Sequence, residues 1–218
     1  DSTPLIGFGG APFTLAAYMV EGRPSRDHMA ARTLAASDPG AWDALMSWCA
    51  CVSADFITSQ IEAGASAVQL FDSWVGSLSP RTYRESVAPY SRMVAQRVAG
   101  AVSPVTGERA PLIHFGTGSA PILADMAEVG ANCVGVDWKT DLSWAIAQVP
   151  EKAVQGNLDP ALLQAPWPVI EQAVRDILDA GRSAPGHVFN LGHGVPPTTD
   201  PDVLTRIVEL VHELGDAR

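Results

Sequence analysis

Short apolar runs alternate with longer stretches of helical periodicity along the chain. The runs predict six strands, none with a clean alternation of apolar and polar residues: Pro4 to Phe8, Ala67 to Phe71, Pro111 to Phe115, Asn132 to Val136, Ala153 to Gln155 and His187 to Leu191. Strands without alternation are typical of parallel sheets, which are covered on both faces. We therefore expect six parallel strands that are buried on both sides.

The segments between the strands predict helices. The helix from Trp42 to Glu62 is expected to end at Gly64. Its apolar residues Leu45, Trp48, Val52, Phe56 and Ile61 recur at close to helical spacing, which is typical of an amphipathic helix. A second long helix is predicted from Pro80 to Val102, starting after Ser79, because proline suits the first turn. Side chains expected to cap further helices are Ser119, Asp159 and Asp200.

Alternation of strands and helices predicts a parallel α/β sheet, either doubly wound or closed as a (β/α)8 TIM barrel. We favour the barrel because the first strand–helix turn lacks a dinucleotide fingerprint: Gly7, Gly9 and Gly10 are present, but Pro12 stands where the third glycine is required. A barrel has eight strands and about six are visible here. The prediction is one barrel domain over residues 1–218 that lacks about two strands.

Composition excludes several classes of partner. A net charge of −10 argues against nucleic acid and against an anionic membrane surface. No apolar run approaches the roughly 18 residues of a membrane span, and the N-terminus shows no secretory signal. Three cysteines do not form a disulfide framework, so we expect reduced thiols and a cytoplasmic protein.

The cysteines also give little support for a metal site. Cys49 and Cys51 are two residues apart on a predicted helix and therefore point to different sides, and Cys133 lies inside a predicted strand. The sequence has no His-x-Cys, Cys-x-x-Cys or His-x-x-x-His spacing. We expect no metal cofactor.

Polar residues gather where the predicted strands end, and in a barrel those ends face the active site. His193 lies between Gly192 and Gly194, which would let a ligand approach the backbone closely; a loop histidine with local hydrogen bonds explains it equally well. Asp72 could be a functional carboxylate or a loop cap. Asp137 could reach the site or bond a neighbouring loop.

Three further residues have less certain roles. Ser73 carries a hydroxyl suited to a polar substrate edge, but no nucleophile elbow surrounds it, which argues against acyl transfer. His114 lies within a strand, where a structural role is favoured. Tyr18 follows the first strand, and helix packing is its simplest explanation.

Five sequence blocks match one family in the same order. The first, Pro4 to Gly22, reads PLIGFGGAPFTLAAYMVEG, and the others are Gln69 to Ser73, Val134 to Trp138, Gln155 to Pro160 and Asn190 to Gly194. Together they closely resemble signature stretches of the uroporphyrinogen decarboxylases, over essentially the whole chain. Five blocks in the right order are far more specific than any one of them.

The resemblance implies a (β/α)8 barrel that forms a cytoplasmic homodimer. It implies a carboxy-lyase that needs no cofactor and converts the four acetate side chains of uroporphyrinogen III to methyls, giving coproporphyrinogen III. Tyr18, Ser73 and His193 fall on family positions that contact the substrate, Tyr18 and His193 being the catalytic candidates. Phe71 falls on a position that lines the cleft, and Gly22 to Asp27 resembles the family's mobile loop.

Two family features have no match in this sequence: an N-terminal motif of closely spaced arginines that binds substrate carboxylates, and a catalytic aspartate. Both belong to the first two strand–helix units, the number by which the strand count falls short. We therefore expect an N-terminal segment to be missing and the chain alone to be inactive. The alternatives are a zinc- or corrinoid-dependent methyltransferase on the same fold and a non-catalytic remnant that serves in binding.

Overall fold

The computed structural model describes residues 3–215, which divide between Val134 and Gly135 into two compact units. The strands are β1 (Ile6–Gly10), β2 (Ala67–Asp72), β3 (Leu112–Gly116), β4 (Cys133–Gly135), β5 (Ala153–Gln155) and β6 (His187–Val188). All six predicted strands are confirmed, with β6 three residues shorter than expected because Leu191 joins only an isolated bridge to Leu158. A single domain over residues 1–218 stays a prediction.

The helices of the described residues alternate with these strands. They are α1 (Pro12–Glu21), α2 (Met29–Ser37), α3 (Pro39–Glu62), α4 (Pro80–Ser86), α5 (Ala88–Val98), α6 (Leu123–Glu128), α7 (Leu142–Gln148), α8 (Trp167–Gly181) and α9 (Pro201–Gly215). Short 3-10 turns cover Val75–Ser77, Ala120–Ile122 and Pro160–Gln164. No helix in residues 3–215 is both long enough and apolar enough to cross a membrane.

Neighbouring strands in the sheet follow the order of the chain, β1 to β6. Pairing is parallel from β1 to β3, with Phe8 opposite Gln69 and Phe71 opposite Phe115, and β5 pairs in parallel with β6. A doubly wound sheet reverses its strand order at a switch point, whereas a (β/α)8 barrel does not. The parallel α/β class and the barrel type of strand order are therefore confirmed.

Strand β1 departs from the expectation that every strand is covered on both faces. Gly7 and Gly9 are buried against α3, but the side chains on the other face, Ile6 and Phe8, are 43% and 59% exposed. The backbone of Phe8 bonds to a side chain: its N–H donates to Gln60 Oε1 at 2.9 Å, and Gln60 Nε2 donates to its carbonyl at 2.8 Å. A glutamine amide thus supplies the partners that a neighbouring strand would otherwise give.

The predicted apolar face of α3 is buried at Ile61 and half-buried at Leu45, but it is wrong at its three other positions. Trp48, Val52 and Phe56 are exposed. The helix instead buries Trp42, Met46, Cys49, Ala50, Ser53, Ala54, Ile57 and Ile61. Small residues among these let the helix backbone approach its neighbours closely, so the bulkiest apolar side chains do not mark the core-facing side.

The predicted helix from Pro80 to Val102 is two helices that meet at Val87. Pro89 explains the break, since proline cannot donate its backbone N–H and disfavours helical geometry in the residue before it. Val102 lies in an isolated antiparallel bridge with Arg109. Ser79 caps α4 as expected, by accepting a hydrogen bond from the N–H of Thr82 at 3.1 Å.

Of the three other predicted caps, two are confirmed and one is wrong. Asp159 accepts from the N–H of Ala161 at 2.9 Å and Asp200 accepts from the N–H of Asp202 at 3.0 Å, as predicted. Ser119 is not a cap, because its hydroxyl donates to the carbonyl of Gly116 at 2.8 Å. Local hydrogen bonding by serine competes with capping in this way.

Candidate functional site

Tyr18 lies on α1, which begins directly after β1. Proline at the first turn starts the helix, and Gly22 ends it in the left-handed conformation at φ 66°. The Tyr18 side chain is 49% exposed, and its ring centroid lies 3.7 Å from that of Trp74 at an interplanar angle of 32°. Within residues 3–215 its hydroxyl makes no hydrogen bond to protein. Trp74 therefore restrains the ring of Tyr18, while the hydroxyl stays able to bind a ligand.

Trp74 contacts a second aromatic ring, that of His28. Their centroids are 4.5 Å apart at 26°. We call Tyr18, Trp74 and His28 the three-ring stack. Offset stacking of this kind contributes about 0.5–1.5 kcal/mol for each pair beyond area burial.

His28 is buried and has a left-handed backbone at φ 49°, which is uncommon for a residue other than glycine. Its N–H donates to Ser25 Oγ at 3.1 Å, and its Nδ1 lies 2.9 Å from Ser77 Oγ. Its Nε2 is buried without a partner among the described residues. Burial lowers the pKa of His28, with Glu21 and Asp27 opposing the shift, so the ring is held in its neutral form.

Ser73 and Phe71 stand at the end of β2. The Ser73 carbonyl accepts a hydrogen bond from Thr117 Oγ1, while Ser73 Oγ is half-buried and makes no hydrogen bond within the described chain. Phe71 packs edge-to-face between Phe8 and Phe115, at centroid distances of 5.7 and 5.8 Å. A free hydroxyl thus follows a row of three phenylalanines on one face of β1–β3.

Asp72 points to the other face of the sheet, into the helices. It is fully buried and accepts a hydrogen bond from Thr14 Oγ1 at 3.0 Å. Its second oxygen lies 3.6 Å from His114 Nε2, too far for a hydrogen bond. Burial, together with the charge of Asp72, raises the pKa of the nearby Tyr83 well above its usual range. Of the two interpretations left open for Asp72, these contacts support a structural role, and His114 is a core residue as favoured.

His193 belongs to the second unit, in the segment after β6. It is exposed, and its ring packs edge-on against Trp138 with centroids 5.5 Å apart at 81°. Its ring nitrogens make no hydrogen bond within residues 3–215. The imidazole is therefore available to a ligand on a fixed aromatic support.

The two glycines beside His193 differ. A Cβ at Gly192 would overlap the backbone nitrogen of Trp138, whereas a Cβ at Gly194 would meet nothing within 4 Å. The interpretation that both glycines admit a ligand is therefore wrong for Gly192. That position is glycine because the Trp138 main chain lies against it.

Asp137 stabilises the same part of the second unit. It is fully buried and accepts a hydrogen bond from Thr140 Oγ1 at 2.8 Å. Its carbonyl accepts from Asn157 Nδ2 at 3.0 Å, and the same amide donates to the carbonyl of Thr140 at 2.6 Å. These bonds hold the segment that carries Trp138, which supports the loop-bonding interpretation of Asp137.

The expected site residues fall in both units of the chain. Tyr18, Phe71 and Ser73 belong to the first unit, and His193 to the second. That these four residues line one substrate site stays a prediction. Sequence reasoning missed Trp74 and His28, although Trp74 directly follows the matched block Gln69 to Ser73.

Two of the three cysteines, Cys49 and Cys133, are buried thiols that stay protonated. Burial raises the pKa of Cys49 to about 11 and that of Cys133 to about 12. Within residues 3–215, no three His, Cys, Asp or Glu side chains are grouped so that they could hold a metal ion.

Comparison with known proteins gives one consistent family. The sequence model of "Uroporphyrinogen decarboxylase (URO-D)" matches residues 1–214. The uroporphyrinogen decarboxylase of Arthrobacter sp. (strain FB24) is 56% identical over 98% of this chain and 60% of its own length, and that of Salinispora tropica is 58% identical over 98% and 56%. The chain thus spans somewhat more than half the length of these relatives.

A solved structure shows the same fold. A methyltransferase from Methanosarcina mazei superimposes with a TM-score of 0.77 at 20% sequence identity, covering 98% of this chain and 60% of the other. At that level of identity the similarity bears on fold alone, because one fold supports many chemistries.

Proposed function

The chain belongs to the uroporphyrinogen decarboxylase family, and from that premise we propose that it serves the decarboxylation of the four acetate side chains of uroporphyrinogen III, giving coproporphyrinogen III. The observation that carries the proposal is identity above one half over nearly the whole chain to relatives of that name. The four residues expected to meet the substrate are Tyr18, Phe71, Ser73 and His193. Three of them present polar groups without a hydrogen-bond partner among the described residues.

The chemistry can proceed without a cofactor because the substrate supplies its own electron sink. Protonation of a pyrrole ring carbon creates a cation beside the acetate. As the bond to the carboxylate breaks, carbon dioxide leaves and its bonding pair neutralises that cation. Protonation of the resulting exocyclic carbon and loss of the ring proton leave a methyl, so each step consumes one proton overall. The protein must then orient the acetate, supply a proton and stabilise positive charge in a dry site.

The described residues suit parts of that task. Tyr18, Ser73 and His193 can donate hydrogen bonds to substrate carboxylates or help to move a proton, since each has an uncommitted polar group. The row of Phe8, Phe71 and Phe115 offers an apolar wall for the macrocycle. The net charge of −10 opposes a polyacid, so carboxylate binding needs a local concentration of cations.

The family's clustered arginines and its catalytic aspartate have no match in these residues. We therefore expect turnover only when the N-terminal region that carries them in relatives is supplied. The test incubates the 218-residue chain and an extended version with uroporphyrinogen and measures coproporphyrinogen. Product from the extended protein alone is the expected result, and product from the short chain would overturn the assignment of those roles to the added region.

His193 gives a residue-level test in the extended protein. His193→Asn should lower the rate of turnover by about tenfold or more, because it removes an imidazole that can orient or protonate the substrate. His212→Asn is the matched control, since His212 is also exposed in the second unit. Equal rates for the His193 variant and the control, over all four acetates, would remove His193 from the site.

The location and assembly of the protein are further parts of the proposal. We propose a cytoplasmic homodimer, as the family resemblance implies. Sedimentation of the extended protein at several concentrations tests the dimer: a single species with the mass of two chains supports it, and a monomer at every concentration contradicts it.

A further inference from the structure

The phenol of Tyr18 is held by two residues to which no role has been given. We propose that Trp74 and His28 are positioning residues that fix the orientation of the Tyr18 hydroxyl through the three-ring stack. The inference rests on the proposed function, in which Tyr18 contacts the substrate. Trp74 would act through Tyr18 and not by contact with the reacting atoms.

The exposure of Tyr18 makes such support necessary. A tyrosine that is half-exposed on a helix can occupy more than one rotamer, and each carries its hydroxyl several ångströms away from the others. The centroid distance of 3.7 Å to Trp74 places the ring in direct contact with one flat partner. An aromatic pair contributes on the order of 1 kcal/mol, enough to favour the stacked rotamer about fivefold.

Trp74 is itself fixed through Ser77. The Ser77 hydroxyl donates to the Trp74 carbonyl at 3.0 Å, and the Ser77 N–H approaches the same carbonyl at 3.2 Å. The Trp74 backbone is therefore locked by the 3-10 turn that follows it, and stacking restrains its ring.

His28 contacts the same serine, Ser77. The Ser77 hydroxyl also lies 2.9 Å from His28 Nδ1, so one serine joins His28 to the Trp74 carbonyl in either tautomer of the imidazole. The ring of His28 is also stacked on Trp74, with centroids 4.5 Å apart. His28 also ends the segment from Gly22 to Asp27, so it ties that segment to the aromatic support of Tyr18.

A purely structural role would look different. Aromatic residues that serve only the core are buried, as Phe13 and Tyr83 are, whereas the ring of Tyr18 is half-exposed and its hydroxyl is free within the described chain. The stack buries one part of the phenol and presents its polar end. A functional side chain is expected to have this arrangement, with its apolar part fixed by packing and its polar group accessible.

A double-mutant cycle in the extended protein tests the proposal. Trp74→Leu should lower kcat/KM about tenfold or more in the native background, but less than about twofold in the Tyr18→Phe background, because the hydroxyl it positions is then absent. Trp74→Phe should retain most of the native kcat/KM, unlike Trp74→Leu, since phenylalanine keeps a ring that can stack on Tyr18. His28→Gln should cause a smaller loss, which also disappears in the Tyr18→Phe background.

Two controls make the result decisive. Thermal unfolding checks that each variant is folded, and equal fold losses in both backgrounds would show a general structural effect and overturn the proposal. NMR of the 218-residue chain should show upfield ring-current shifts of the Tyr18 ring protons that Trp74→Leu abolishes; without such shifts the stack does not form and the proposal fails. If the shifts are present but the extended protein never decarboxylates uroporphyrinogen, the proposed function fails and the catalytic role with it, while the stack stands.

Discussion

Asp72 and Asp137 occupy equivalent places in two regions of the molecule and are bonded in different ways. Each lies at or just after the end of a strand, each is fully buried, and each accepts a hydrogen bond from a threonine hydroxyl. The threonine that bonds Asp72 is Thr14, 58 residues away on α1, whereas the threonine that bonds Asp137 is Thr140, three residues further along its own segment. An aspartate at the end of a strand therefore accepts a threonine hydrogen bond from a distant helix in one region and from its own segment in the other.

The difference bears on how each region presents its candidate residues. The Asp72–Thr14 bond joins β2, which ends beside Ser73, to α1, which carries Tyr18. The Asp137–Thr140 bond instead shapes the segment that carries Trp138, on which His193 packs. The first region depends on a contact between distant elements, and the second on one backbone segment being held in shape.

The largest effect is expected from removing the two aspartates. Asp72→Ala should lower the free energy of unfolding by about 3 kcal/mol, since it leaves the buried Thr14 hydroxyl without its acceptor and loosens α1 from β2. Asp137→Ala should lower it by about 1 kcal/mol through loss of the bond from Thr140, which joins residues of the same segment. Urea unfolding of the 218-residue chain measures both. Equal losses would show that the long-range tie has no special importance.

The second region is tested by its glycines. Gly192→Ala should destabilise the chain by about 1–3 kcal/mol, because the added methyl meets the Trp138 backbone, which cannot move aside as a flexible side chain could. Gly194→Ala is the matched control, since it meets open space, and should change stability by less than about 0.5 kcal/mol. The shift in melting temperature is the measurement. A neutral Gly192→Ala would contradict the close approach of Trp138.

The smallest effect concerns pH and the buried histidine of the first region. The pKa of His28 is lowered by burial, so below about pH 6.5 the unfolded chain binds a proton that the folded state resists. His28 should therefore make stability fall as the pH drops from 6.5 toward its folded-state pKa, and should add no slope above that window.

His28→Phe keeps an aromatic ring and removes the titration. It should flatten the pH dependence of the free energy of unfolding in that window, as measured by urea unfolding at a series of pH values. An unchanged slope would mean that His28 is open to solvent and protonates freely in the folded chain.

The sequence predicts the strands well, because buried parallel strands leave short apolar runs that need no tertiary information. It predicts single helices less well. The break before α5 could have been read from Pro89, but α3 carries large apolar residues on two faces, and only the packing decides which face is buried.

Positions of individual side chains are the part that sequence cannot supply. The contact of Trp74 with Tyr18 and His28 joins residues 46 to 56 positions apart along the chain (74 − 28 and 74 − 18), and no periodicity links them. The meaning of Gly192 was equally hidden, since the backbone that requires it belongs to Trp138, which is distant in sequence. The family resemblance named Tyr18, Phe71, Ser73 and His193, but not what supports them.

A crystal structure of the extended protein with coproporphyrinogen bound tests most directly whether Tyr18, Phe71, Ser73 and His193 bind one tetrapyrrole, as proposed. We expect the Tyr18 hydroxyl, Ser73 Oγ and the His193 imidazole each to lie within hydrogen-bond distance of the ligand, about 2.6–3.2 Å, with Phe71 against the macrocycle. A bound product that touches neither Tyr18 nor His193 would contradict this proposal.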